Sequence, residues 1–209
     1  MTASEFLAAS RQAAPAVPSQ LLASVAYRPA QLLSGTRIDG NAEFRKAVVD
    51  ALLDDLTPAD RALILHLVAE EIACERAIQE HQNLYQLCFH LYKLGELADV
   101  FVLYDAKFNS SSWDVSLLLD REFLTLGHTV PVVQRYVQAE FARQPALAAH
   151  YPQLLAVLQD LLDYFDYEGQ ADYRDYLREY FRAQETDPEP SPNPASGYQP
   201  NPKKWWQFW

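Results

Sequence analysis

Between Pro58 and Pro131 the chain contains no proline. Proline removes a backbone donor and clashes with the preceding helical turn, so its absence lets the middle of the chain stay helical throughout. The only glycines in that stretch, Gly95 and Gly127, each follow apolar residues at helical spacing. That is where a left-handed C-terminal cap belongs. Gly40 and Gly169 also fall between periodic segments, so most glycines act as punctuation between helices.

The start signals agree. Thr57-Pro58-Ala59-Asp60 offers an N-cap threonine, a proline at the first helical position and a carboxylate in the first turn. Ser112 can cap a helix beginning at Trp113, Thr129 stands just before Val130-Pro131, and Pro152 can open another helix. Leu84, Leu87, Cys88, Leu91 and Tyr92 recur at helical rather than alternating spacing. So do Tyr173, Tyr176, Leu177, Tyr180 and Phe181, and Leu154, Leu155, Leu158, Leu161, Leu162 and Phe165 are similar. The spacing predicts helices over residues 3–14, 19–27, 42–55, 58–79, 82–94, 96–108, 113–126, 130–143, 152–167 and 171–184. Segment 28–41, with Arg28-Pro29, Gly35 and Asp39-Gly40, reads as a loop. No strand is expected, because β-prone Val100 to Tyr104 lies inside a helical run.

The expected fold class is therefore all-α, built from short antiparallel helices. Helix starts near residues 58, 96, 130 and 171 recur at intervals of about 34 to 41 residues, the period of two-helix HEAT, armadillo or TPR repeats. An αα superhelix and an irregular helical bundle both fit. A chain of 209 residues supports one well-buried core. The expected division is a helical domain over 1–184, a proline-rich linker over 185–202 and a tryptophan-rich docking motif over 203–209.

The formal net charge of −11 argues against a nucleic-acid partner, because phosphate backbones need clustered Lys and Arg. The acidity is diffuse and reads as solvated helix faces. Cys74 and Cys88 sit inside helical patterns, which fits reduced thiols in a cytoplasm. The segment Met1 to Ala14 lacks a basic region and carries Glu5 and Arg11, so it does not read as a signal peptide.

No stretch matches a phosphate-binding loop or a nucleophile elbow. A metal site would draw on His66, Cys74, His81, Cys88 and His90, but their spacing fits neither CxxC pairs nor HExxH. His66, Glu70 and Cys74 line one helix face; core thiols and surface histidines explain them better, and no cofactor or metal is expected. An enzyme could use Asp105, Asp114 and His128 as acid and base, but no spacing enforces that arrangement. The late tyrosines Tyr164, Tyr167, Tyr173, Tyr176 and Tyr180 suit the half-wet outer face of a terminal repeat.

Residues 105–114 carry a contact expectation. Lys107, Phe108, Trp113 and Asp114 bracket a small polar turn. Trp113 either packs under that turn or stands at an interface, where tryptophan is enriched among energetic anchors. Residues 95–126 also carry a resemblance. Asp99 and Val100, then Ala106 and Lys107, then a polar turn at Asn109 and Asp114, then Leu118 and Leu119, are similar to uncharacterised bacterial helical proteins of immunity or adaptor type, some encoded near toxins. The resemblance implies binding rather than catalysis and brings no site residues with it.

The tail is the second contact expectation. Residues 185–202 are rich in proline with almost no aliphatics, and such a linker spans ~3 Å per residue, up to ~50 Å. Beyond it lie Trp205, Trp206, Phe208 and Trp209, preceded by Lys203 and Lys204. Burying one tryptophan ring removes up to ~250 Å², worth up to ~6 kcal/mol before ordering costs. Trp205, Phe208 and Trp209 fall at i, i+3 and i+4, the pattern of a helix laid in a groove. The destination would be a groove on this chain or a second copy, a groove on another protein such as a toxin, or a membrane surface. The acidic body disfavours the membrane. The expected function is non-enzymatic protein binding.

Overall fold

The computed structural model describes residues 1–109, 113–165 and 169–186, with side chains to residue 181. These residues form eleven α-helices, three 3-10 turns and one two-stranded hairpin. The fold is all-α.

The chain opens with α1 (Ala3–Ala13) and α2 (Ser19–Val25). Thr2 and Glu5 close a capping box at the start of α1, each accepting the other's backbone N–H. The loop expected over 28–41 instead contains antiparallel strands β1 (Pro29–Gln31) and β2 (Arg37–Asp39), with Pro29 opposite Asp39 and Gln31 opposite Arg37. Three-residue strands that begin at a proline and turn through Gly35 leave no periodic signal to read.

Helix α3 (Ala42–Ala51) stops four residues short of its expected end. A 3-10 turn, Pro58–Asp60, then leads into α4 (Arg61–Ile78). The capping signal at Thr57 is realised: Asp60 Oδ2 accepts the Thr57 N–H at 2.8 Å. The same buried carboxylate takes the Arg11 guanidinium at 2.7 Å, which ties α1 to the start of α4.

Helix α5 (Leu84–Leu94) is the centre of the molecule. The predicted stripe of Leu84, Leu87, Cys88, Leu91 and Tyr92 is buried, and so are Tyr85, Phe89 and His90 on the other sides. A helix buried all round is an interior helix rather than an amphipathic surface one. Gly95 ends it at φ 71°, a left-handed backbone that favours glycine.

A 3-10 turn, Leu97–Asp99, precedes α6 (Val100–Phe108). Helix α7 (Trp113–Leu118) is much shorter than the expected 113–126. Asp120 has extended backbone (ψ 138°), and a 3-10 turn, Arg121–Thr125, follows it. Leucine-rich spacing does not distinguish α-helix from 3-10 over so few residues, so the break at Asp120 was hidden. Next come α8 (Val130–Arg143), α9 (Pro145–His150), α10 (Leu154–Asp163) and α11 (Gln170–Thr186). The expected loop over 144–151 thus contains a helix, with Pro145 at its first turn, where proline is favoured.

Consecutive α4 and α5 pack together as their short connection dictates, while α1 packs against α3 and α8 against α10 across an intervening helix. Leu154, Leu158 and Leu161 of α10 are fully buried, as are Tyr173 and Leu177 of α11, whereas Leu162 is exposed. Tyr173 therefore departs from the half-wet expectation, while Tyr164 fits it better at 47% exposed. Helix α11 runs to Thr186, two residues into the linker expected over 185–202; the rest of that linker, the motif over 203–209, Ser110 to Ser112 and Tyr167 lie outside the described residues.

Candidate partner-contact surface

The turn between α6 and α7 is held together from inside. Lys107 sends its ammonium inward, where Nζ donates to the Ser116 carbonyl at 2.7 Å and to the Leu119 carbonyl. Burial lowers its pKa. Lys107 was expected at the contact surface; its charged end is instead spent on closing the turn, so it supports the surface rather than forming it.

Asp105, one turn earlier, accepts the Tyr151 hydroxyl at 2.8 Å and the Asn109 amide at 2.5 Å. Burial, helped by that carboxylate, raises the Tyr151 pKa, so the phenol stays neutral and donates. This bond fixes α6 against the segment joining α9 to α10. Phe108 packs against Tyr104 with the rings tilted and their centroids 4.8 Å apart, and Lys107 lies 5.4 Å from the Phe108 ring.

The outward side of α7 is apolar. Trp113 is 62% exposed and Leu117 is 67% exposed. They are four residues apart, hence on one helix face. Val115 and Leu119, on the other side, are buried. Trp113 is therefore a surface residue, as an interface position requires. Phe108 is also exposed, and Asp114 lies exposed in the first turn of α7. Phe108 thus ends α6, Trp113 and Asp114 open α7, and Leu117 joins Trp113 on one face of α7, where its spacing from Trp113 was the available signal.

Asp105, Asp114 and His128 do not share one task. Asp105 holds Tyr151 and Asn109, while His128 Nε2 lies 2.7 Å from the Gly95 carbonyl at the end of α5. Asp114 stands exposed on α7. Two of the three groups needed for acid–base chemistry are engaged with separate structural partners.

The metal candidates are equally dispersed. Among the described residues no group of three or more His, Cys, Asp or Glu could hold a metal ion. His66 faces Glu70 at 3.6 Å, and that carboxylate also accepts the Tyr27 backbone N–H at 2.6 Å. Cys74 and Cys88 are buried free thiols. Burial pushes the Cys74 pKa up to about 12 and raises that of Cys88, so both stay protonated and unreactive.

Two polar clusters hold other parts of the core together, and sequence spacing revealed neither. In the first, Arg45 is 1% exposed and lies 2.5 Å from Asp39 and 2.6 Å from Glu71. Glu71 also accepts the Asn83 amide at 2.9 Å and its backbone N–H at 3.2 Å. Burial works against the Arg45 charge, but the two carboxylates more than offset it and raise its pKa. In the second, Asp120 Oδ2 accepts the hydroxyls of Tyr85 at 2.8 Å and Tyr173 at 3.0 Å. Burial, then Asp120, raises both phenol pKa values. Gln170 Oε1 accepts from Tyr92 at 2.8 Å and from Thr125 at 3.1 Å, fastening the start of α11 to the core.

No protein-family model, curated protein or solved structure matches the chain. Among the described residues no helix is long and apolar enough to cross a membrane.

Proposed function

We propose that this chain is a non-enzymatic protein-binding protein of the immunity or adaptor kind. It meets its partner through the α6–α7 turn, with Phe108, Trp113, Asp114 and Leu117 as the contact residues. The carrying observation is the outward display of Trp113 and Leu117 on a short helix whose other side is buried. A tryptophan 62% exposed at the start of a helix that Lys107 ties to α6 is the kind of residue that anchors an interface. Side-by-side packing of α4 with α5 and of α8 with α10 supports a short αα superhelix as scaffold. The resemblance at residues 95–126 points to the same class. Two free buried thiols support a reducing compartment, hence a cytoplasmic location. Trp205, Trp206, Phe208 and Trp209 form a second docking element on their linker.

The test is co-expression of the full chain with the products of the genes beside its own, followed by size-exclusion chromatography with light scattering. One neighbouring product is expected to co-elute. Trp113→Ala with Leu117→Ala is expected to cost about 2 kcal/mol or more of binding. Full binding by that double variant, or no neighbour bound at all, would reject the reading. Deletion of residues 203–209 tests the tail separately.

A further inference from the structure

The β1–β2 hairpin has a rigid base and an apolar tip. At the base, Asp39 Oδ1 accepts the backbone N–H groups of Arg28 and Asn41, each at 2.9 Å. The other oxygen faces buried Arg45 at 2.5 Å. Asn41 donates to the carbonyls of Ala26 at 2.9 Å and Ala23 at 3.2 Å. Every residue from Gln31 to Arg37 is exposed. Leu32 is 50% exposed and Leu33 is 111% exposed, so neither leucine contributes to this chain's core in proportion to its size.

The charge around the tip is equally selective. The chain carries −11 overall, yet the exposed charged residues of segment 27–38 are Arg28 and Arg37, both cationic. The one carboxylate of the hairpin, Asp39, is buried against Arg45. Of the carboxylates on this side, Glu70 is bound to the Tyr27 N–H, and Glu80 acts on the Tyr27 hydroxyl together with Arg37.

We propose that this hairpin tip is a contact site for an anionic lipid surface. Leu32 and Leu33 enter the interfacial zone, Arg37 meets the headgroup phosphates, and Arg28 at the base adds a more distant positive charge. A convex pair of leucines needs a deformable acceptor and no matching concavity, and flanking cations favour a negative one. The acidic body does not forbid it. From Asp39 to Thr36, which faces Leu32 across the ladder, the chain rises about 10 Å at ~3.3 Å per residue, about one screening length of ~8–10 Å at physiological salt. A second copy is a poorer occupant, because pairing two tips brings like-charged arginines together. The inference is independent of the partner contact at α7.

Vesicle flotation of the full chain tests it, with phosphatidylcholine alone against an equal mixture with phosphatidylglycerol. The chain is expected to float with the mixed vesicles only. Leu32→Asp with Leu33→Asp should lower binding by about tenfold or more, and Arg37→Glu by about fivefold. Unchanged melting curves exclude misfolding, since these side chains lie outside the core. Leu33→Cys carrying an environment-sensitive dye, introduced selectively because Cys74 and Cys88 are buried, should shift to shorter wavelength on the same vesicles. Any of three results overturns the proposal: no flotation of the native chain at low salt, equal flotation of the tip variants, or loss of flotation only when residues 203–209 are deleted. If vesicles fail but the tip variants lose a neighbouring gene product, the tip belongs to a protein pocket instead.

Discussion

The two polar clusters solve the same problem differently. Around α3 and α4, Arg45 is sealed between Asp39 and Glu71, charge against charge. Around α5 and α11, half-buried Asp120 accepts the hydroxyls of Tyr85 and Tyr173, a carboxylate held by neutral donors with the Lys107 charge nearby. An ion pair that loses one member leaves the other buried and uncompensated. A phenol pair that loses one member keeps a donor in place. The first cluster should therefore be brittle and the second tolerant.

The sharpest break comes from Arg45→Ala. It leaves two buried carboxylates with their hydrogen bonds but no counter-charge and is expected to cost about 3–5 kcal/mol, read from urea unfolding. A loss below about 1 kcal/mol, the worth of an ordinary hydrogen bond, would erase the contrast.

Next in size is the acid response. His90 is fully buried beside the Val49 carbonyl, 3.4 Å from Nε2, and Nδ1 has no hydrogen-bond partner among the described residues. Burial, with the nearby Lys93 charge, pushes its pKa down to about 3. The unfolded chain takes up this proton first, near the ordinary histidine pKa of about 6.5. Stability from this residue is thus complete above about pH 6.5 and falls by about 1.4 kcal/mol per unit as pH drops toward 3. His90→Leu should flatten that slope. The phenols bound to Asp120 are neutral across this whole window. If Tyr173→Phe altered the slope as much as His90→Leu does, the assignment of acid sensitivity to His90 would be lost.

Smaller again are Tyr85→Phe and Tyr173→Phe, each expected to cost about 1.5–3 kcal/mol. The double variant should cost more than the sum, because only then is Asp120 left without a phenol. Strict additivity would show that water or another group rescues it. Smallest of all is Trp113→Ala, within about 0.5 kcal/mol of the native stability, since the ring stands on the surface. A larger loss would mean that Trp113 braces the turn as Lys107 does.

Local chemistry was legible in the sequence. The capping box at Thr57, the left-handed cap at Gly95 and the buried stripe of α5 all follow from rules acting over a few residues. The all-α class follows from the same signals. What escaped was non-local or too short. Asp120 meets partners 35 and 53 positions away in the chain, and Arg45 meets Glu71 26 away. No periodicity encodes such pairings. The hairpin strands are three residues each, below the length at which alternation can be seen. At the contact surface, the residue types around the turn were visible, but the inward path of Lys107 was not, because it depends on where the carbonyls of α7 end up.

Asp39 gives the hairpin an unusual standing in time. Surface ribbons normally open and close without disturbing the interior, and their amides exchange with solvent quickly. Here the amides of Arg28 and Asn41 rest on a carboxylate whose other oxygen belongs to the core ion pair. These two hydrogens should exchange only when the interior itself opens, at the slow rate of α3 and α4, while the amides nearer the tip exchange freely. A slow base and a fast tip, a few residues apart, would make the hairpin a rigid arm with a pliant end.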